Sequence, residues 1–291
     1  VGYVNGAAAT STGAATSLSY SHSLSAGSNR AVVVFGTWWR NNATSTLNGV
    51  TYDGQTCSVE ADNGHVADTN FYGVCAASLP DASLSGSGSK TVVVTLNQST
   101  DEIASTVQAY DGIDQTTGPV RSGSQAGTDG SGTAESSGNA TVNIPTTVGD
   151  LAVAAVNFWD DGASHTTSQT ERQAADGAGA DQTNCHSIEW TATGSSTTMA
   201  YSLGMCIAGF ALVPATGGGA ATAEQEGYRW RNDDGTEAGA SWKAAQDTPI
   251  TAASGKFRLR VILNATGDLP AGLIGMKYNV NDGSKRTVHV P

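Results

Sequence analysis

The chain has 291 residues, 36 of them glycine; charged residues make up only 14%, and the net charge is −12. That balance excludes general binding to nucleic acid, because neutralising phosphates needs Lys and Arg. No apolar run reaches the roughly 18 residues of a transmembrane helix. No basic segment followed by an apolar core marks a remaining signal peptide, so Val1 is expected to follow either a removed Met or a cleaved leader.

Short runs rich in Val, Thr and Tyr are separated by Gly or Asn about every 8–12 residues, the rhythm of an all-β sandwich or barrel. Taken in order, the first elements are an unanchored strand segment (Val1 to Ser11), the alternating segment LSYSHSL from Leu18, and the apolar run NRAVVVFGTW from Asn29 to Trp38. Cys57 and Cys75 lie equally far from the middle of the turn NGHVAD (Asn63 to Asp68), which places them opposite one another in a hairpin. The loose stretch from Thr116 to Thr141 reads as a surface excursion or as a weak strand between two halves.

Beyond it the pattern echoes itself. ATVNI from Ala140 alternates, and DLAVAAVNFW from Asp150 to Trp159 repeats the apolar run ending at Trp. Two related halves, 1–114 and 127–215, fit one sandwich or two stacked ones. One is preferred, since each half alone has few strands. Cys185 and Cys206 lie equally far from the middle of TGSSTT (Thr193 to Thr198), a register that also sets Ile188 opposite Leu203 and Trp190 opposite Tyr201. Two cross-strand disulfides, Cys57–Cys75 and Cys185–Cys206, are expected, in oxidising surroundings. The alternative is four free cysteines acting as small hydrophobes.

PATGGGAATA (Pro214 to Ala223) reads as a linker, with 216–222 joining a domain at 1–215 to a smaller one at 223–291. The first domain holds five of the 14 Lys/Arg and 18 of the 26 Asp/Glu, so it is strongly acidic and the tail is near neutral. In the tail, EGYRWRN and KFRLRVIL alternate. They put Tyr228, Trp230, Phe257, Leu259, Val261 and Leu263 inward, and Arg229, Arg231, Arg258 and Arg260 on a basic face. That face suits docking against an acidic neighbouring copy. Glu237 to Ala245 has room for a turn or two of helix. GLIGMKYNV and KRTVHV, joined by the hairpin turn NDGS, supply two more strands.

No catalytic constellation stands out. The five histidines (His22, His65, His165, His186, His289) are scattered over polar strands and turns and read as surface residues. Glu189, Glu60 and Asp111 are the best candidates for a glycosidase carboxylate pair, but each reads more simply as the polar side of a strand. Asp160 to Gly162, Thr128 to Gly132 and Asp233 to Gly235 are weak Ca2+ loop candidates and ordinary Asp-Gly turns. No Cys/His spacing suggests a metal site, and no cofactor is expected. Trp38, Trp39 and Trp159 end similar strands, and one of the adjacent pair Trp38/Trp39 is expected to face outward, where it would stack on a glycan. Four N-x-S/T sites (Asn42, Asn97, Asn139, Asn264) occur in a chain rich in Ser and Thr and carry little weight.

SNRAVVVFGTWW, GVTYDGQTC, FYGVCAASLPDAS, KTVVVTL, AYDGIDQTTGPV, GDLAVAAVNFW and AGFALVPA together resemble a module of bacteriophage virion proteins and some secreted bacterial proteins, over most of residues 1–215. The tail EQEGYRWRNDDGTEAGASWKAAQDTPIT…RLRVILNATGDLPAG resembles a second, small module common beside it in phage structural proteins. The resemblance implies a jelly-roll or lectin-like β-sandwich joined to a small Ig-like β-domain, displayed on a particle or appendage, with no catalytic residues. The four cysteines depart from it. The expectation is therefore a non-enzymatic virion structural protein (capsid decoration, tail or fibre) at the virion surface or outside the cell. Its partners would be copies of itself, other virion proteins and a host-surface glycan, without nucleic acid or membrane insertion. The alternatives are a secreted carbohydrate-binding module and a subunit of an extracellular filament held by strand exchange.

Overall fold

The computed structural model describes residues 1–11, 13–67, 69–121, 125–128, 139–158, 166–177, 183–202, 204–215, 222–232, 234, 239, 241–248, 257–266, 275–279 and 285–289. The chain divides into two units, Val1–Ala215 and Thr216–Pro291. The protein is all-β: no α-helix occurs among the described residues, and so none long and apolar enough to cross a membrane.

The first half of the larger unit runs β1 (Gly2–Thr10), β2 (Ala15–Leu24), β3 (Ala31–Asn41), β4 (Leu47–Tyr52), β5 (Gln55–Thr56), β6 (Ser58–Ala67), β7 (Asn70–Pro80), β8 (Gly88–Thr100) and β9 (Glu102–Asp111). The second half runs β10 (Gln125–Thr128), β11 (Asn139–Pro145), β12 (Leu151–Phe158), β13 (Thr170–Ala175), β14 (Asn184–Thr191), β15 (Ser196–Ser202) and β16 (Gly204–Leu212). The halves have the same topology. An inner five-stranded sheet has the order β1-β9-β3-β7-β6 in one and β10-β16-β12-β14-β13 in the other. Each is backed by an outer sheet, β2-β8-β4-β5 in the first and β11-β15 in the second.

The result is a stack of four layers, two sandwiches back to back, where the sequence suggested one. The apolar runs of β3 and β12 occupy the middle layers and are buried on both faces, which is why they read as continuous rather than alternating. Val33, Phe35 and Trp39 of β3 meet Val153 and Ala155 of β12 and Phe210 of β16 in the central core. Val32, Val34 and Trp38 point the other way, onto Val50, Tyr52, Val92 and Val94. Ala152, Ala154 and Val156 likewise point away, onto Val142, Ile144 and Met199. The outer strands alternate cleanly, as in β11, because one face is wet. Each buried Val, Ile or Phe contributes about 1.5–3 kcal/mol, so these three cores are the main source of stability.

Local irregularities repeat between the halves. Edge strand β6 carries a bulge at Glu60, between Val59 opposite Ala77 and Ala61 opposite Ala76. Edge strand β13 carries one at Arg172, between Glu171 opposite Ile188 and Gln173 opposite Ser187. Ala77 thus corresponds to Ile188 and Ala76 to Ser187. Following the ladders, Gly73 corresponds to Asn184, Trp38 to Phe158 and Thr37 to Asn157. The apolar echo in the sequence is therefore in register at Trp38 and Phe158, one residue from the alignment that matches Trp38 with Trp159.

The halves meet by a pseudo-two-fold relation. Asn157 Nδ2 donates to the Gly73 carbonyl at 2.9 Å, and Thr37 Oγ1 donates to the Asn184 carbonyl at 3.2 Å, one bond being the counterpart of the other. Because both carbonyls are buried, these bonds fix how one inner sheet sits on the other.

The N-terminal strand is not free. β1 pairs along its length with β9 and forms the edge of its own sheet, contrary to the expectation of an unanchored segment.

The smaller unit contains β17 (Thr222–Asn232) paired with β18 (Phe257–Thr266), and β19 (Gly275–Asn279) paired with β20 (Lys285–His289), all antiparallel. Residues 241–248 form bends and turns rather than helix. The linker residues 216–221 and the NDGS turn lie outside the described residues.

Candidate functional site

The structure redistributes the expected site residues. Trp38 and Trp39 are both buried, on opposite faces of β3 in two different cores, because β3 is a middle layer; neither is a platform for a ligand. Trp38 lies so close over Gly73 that a Cβ there would sit 2.0 Å from its ring, and its indole N–H donates to the Ser45 carbonyl at 3.0 Å. Trp159 lies outside the described residues.

All four cysteines are free and buried. Cys75 stands opposite Asp62 in the β6–β7 hairpin, and Cys57 precedes β6, so the symmetric pairing about the turn does not form. Cys185 and Cys206 both face Asn157, from the two sides of β12. Two strand spacings of about 4.8 Å put them beyond disulfide reach. Burial pushes the thiols of Cys57 and Cys185 up to about 12, so they act as inert hydrophobes.

The arginine row of the smaller unit is partly covered. Trp242 lies between the guanidiniums of Arg229 and Arg231, 4.1 and 4.6 Å from its ring centre, and Arg231 is buried. Arg229 Nε donates to the Ala244 carbonyl. On the opposite face Tyr228 and Trp230 are half-buried and meet edge to face. Leu259, expected inside, is exposed. Backbone pairing sets Arg260 opposite Arg229 and Arg258 opposite Arg231; the side chains of both are outside what is described. The Ca2+ loop candidates fall largely on undescribed residues. Of the last, Asp234 is described, and it accepts from the Ser241 amide at 3.1 Å and from its hydroxyl.

Of the carboxylates considered for a catalytic pair, Glu60 on β6 and Asp111 at the end of β9 lie in the first half, and Glu189 on β14 lies in the second. Glu60 accepts from Ser78 Oγ at 2.7 Å. Glu189 is buried, accepting from Tyr110 OH at 3.0 Å and from Arg172, which lies 4.7 Å over the Tyr3 ring. Burial, and then the neighbouring Glu189 charge, hold the Tyr110 hydroxyl well above its ordinary range. This network stitches β13 to β14 and the inner sheets to one another.

One cluster faces outward. His186 of β14 bonds Glu171 Oε2 through Nδ1 (3.0 Å) and Asp176 Oδ1 through Nε2 (2.7 Å), and its Nδ1 also lies 2.8 Å from Tyr201 OH. Its ring packs on Phe158 and Tyr201, so it is a half-buried residue rather than the surface histidine expected. His22 departs further, being buried between Tyr52 and Asn5. Burial lowers the pKa of His186, but the two carboxylates outweigh it and the net shift is upward. Tyr201 also lines an open cavity of about 360 Å3 walled by Asn139, Thr166, Thr167, Ser168 and Ser202, all neutral hydrogen-bonding groups.

Four residues along β14, on the same side as His186, stands Trp190, which is 44% exposed. Sequence reasoning treated it only as a strand partner. Its signal is the alternation His186, Ile188, Trp190, which becomes informative once the register of the two halves is known.

No family model, curated protein or solved structure matches the chain.

The site is therefore read from its own geometry. An exposed indole, two accessible carboxylates (Glu171 and Asp176), an imidazole and a hydroxyl-lined cavity share one face of the second half. No group of three or more His, Cys, Asp or Glu among the described residues has the arrangement of a metal site.

Proposed function

We propose that the chain is a non-enzymatic structural protein, present in many copies on a virion surface or extracellular appendage. The observation that carries this reading is the fate of the basic residues in the larger unit. Arg30 pairs with Asp81, Lys90 with Asp53, Arg121 with Asp150 and Arg172 with Glu189. Arg40 donates to the Thr44 carbonyl and to Gln98. All five are engaged within the fold, so the exterior charge of this block is overwhelmingly negative. An acidic, layered, internally tied block suits a displayed part that must stay soluble at high local density. The small unit, with nine basic and eight acidic side chains, is the part suited to docking.

Strand exchange between copies is the less favoured mode of assembly. β1 already pairs with β9, and the edge strands β1, β6 and β13 carry bulges at Val4, Glu60 and Arg172, which turn an edge away from further pairing. Assembly is proposed to use side-chain surfaces instead.

Immunogold electron microscopy of particles and filaments from the native source tests this reading. Regularly spaced labelling, with many copies per particle, is the expected result. A protein found only as free monomers would overturn it.

A further inference from the structure

The two halves differ in one large respect, and the difference exposes a surface. In the first half, β4 pairs with β8 and, with β5, extends the outer sheet. Val50, Tyr52 and the adjoining Cys57 share a core with Cys75, Ala77 and Leu79 of β7. Among the described residues the second half keeps only the start of that cover: the Ser202 amide donates to the Thr166 carbonyl as the Asn97 amide does to the Thr46 carbonyl, but β13 opens at Thr170 and no strand stands in the place of Val50, Tyr52 and β5. By the register of the repeated bulges, Cys75 corresponds to His186, Ala77 to Ile188 and Leu79 to Trp190. Leu79 is 3% exposed, and Trp190 in its place is 44% exposed.

An uncovered end of a sheet face invites either another strand or a ligand. The edge of β15 that a strand would use is occupied: the Ser202 amide donates to the Thr166 carbonyl at 3.0 Å and the Ala200 amide to Gln169 Oε1 at 3.3 Å. Thr167 Oγ1 donates to the Ala200 carbonyl at 3.0 Å. What stays open is the Trp190 end of the β14 side-chain face; Ile188 is packed with Met199 and Tyr201 of β15, and His186 lies half-buried against Tyr201.

The groups on that face have one chemistry in common. An exposed indole offers a flat π-face, whose negative quadrupole attracts the polarised C–H bonds on the apolar side of a sugar ring. Glu171 and Asp176, 39% and 63% exposed, supply acceptors for hydroxyls, and the cavity beside Tyr201 adds neutral donors and acceptors. His186 and Trp190 are four residues apart on one strand, about 13 Å. That span suits an oligosaccharide better than a single ring. Two carboxylates in an acidic block disfavour uronic or sialic acids.

We propose that the β14 face of the second half, with Trp190 as its stacking platform and Glu171, Asp176 and the cavity beside Tyr201 as its polar partners, binds neutral oligosaccharides. The site is distinct from the Trp38/Trp39 pair, which is internal. It does not depend on the assembly proposal, because the measurement needs only the purified full-length chain.

The test is isothermal titration of the full-length protein with neutral hexaoses (β-1,4-glucan, β-1,3-glucan, α-1,6-glucan, β-1,4-mannan and N-acetylglucosamine oligomers) and with an oligogalacturonate. Binding of at least one neutral oligomer is expected, with no binding of the galacturonate. Trp190→Ala should weaken it at least tenfold, Trp190→Phe should keep most of it, and Trp242→Ala in the smaller unit should leave it unchanged. Asp176→Asn reads the polar side and should weaken binding several-fold. Failure of all the neutral oligomers to bind would overturn the proposal. So would equal affinity in Trp190→Ala, or preference for the galacturonate.

Discussion

The two halves of the larger unit share their inner sheets, their bulges and the bonds by which they face each other, yet one is covered where the other is open. Leu79 lies in a core with Tyr52, Val50 and Cys57, while the corresponding Trp190 meets solvent. The difference teaches that conserving a layer's inner face and register does not require conserving its outer cover. A middle sheet that is packed on one side by the other half remains held when one end of its outer face is freed.

Truncation at these paired positions gives the sharpest contrast. Leu79→Ala removes a fully packed side chain and should cost about 3 kcal/mol. Trp190→Ala, at the corresponding but open place, should cost about 1 kcal/mol or less. Urea melts of the two variants compare them directly, and equal losses would break the asymmetry.

The repeated bulge gives the next contrast. Arg172→Ala leaves Glu189, whose side chain is 8% exposed, without its cation. Since Arg172 itself is a third exposed, the loss should be about 2 kcal/mol. Glu60→Ala at the matching bulge removes a bond to Ser78 and should cost about 1 kcal/mol. A larger loss at Glu60 than at Arg172 would mean that the bulges do not play matching parts.

The smallest effect is in pH dependence, where one histidine from each half acts with opposite sign. His22 is buried and its pKa is lowered, so the unfolded chain binds its proton more readily. Its stability contribution is present above about pH 6.5 and is lost as pH falls through the folded value. His186 has a raised pKa. Burial opposes the shift, but Glu171 and Asp176 outweigh it, so its contribution is full below about pH 6.5 and is lost as pH rises through the folded value. Glu171 is lowered, chiefly by the bond to His186, and so loses its contribution only in acid. Urea midpoints from pH 5 to 9 should show His186→Gln losing the alkaline decline while keeping the acid limb; an unchanged alkaline limb would contradict a stabilising role for the bonds from His186 to Glu171 and Asp176.

The sequence made the strands legible where their chemistry is one-dimensional. The apolar runs at Ala31 and Leu151, the alternation of ATVNI and the turns between them all follow from burial pattern alone. The faces of the middle strands were not legible, because a run buried on both sides has no alternation to show which side is which; hence the expectation that Trp38 or Trp39 points outward. The cysteine pairings failed for two physical reasons. The count from NGHVAD assumes that the chain turns there, but β6 runs through those residues and the hairpin closes at Ala67 opposite Asn70, which sets Cys75 opposite Asp62. The count from TGSSTT assumes a hairpin, but β14 and β15 belong to different sheets. The open end of β14 at Trp190 was hidden for a third reason. Trp190 is informative only against Leu79, and that match depends on bulges that leave no mark in composition or spacing.

Hydroxyl-radical footprinting of the full-length native protein, read by mass spectrometry at single residues, tests the central claim most directly. The account predicts strong oxidation of Trp190 with Leu79, Trp38 and Trp39 protected, and partial protection of Trp190 when a bound oligosaccharide is present. Protection of Trp190 to the level of Trp38 in the free protein would show that the second half is covered like the first, and would contradict it.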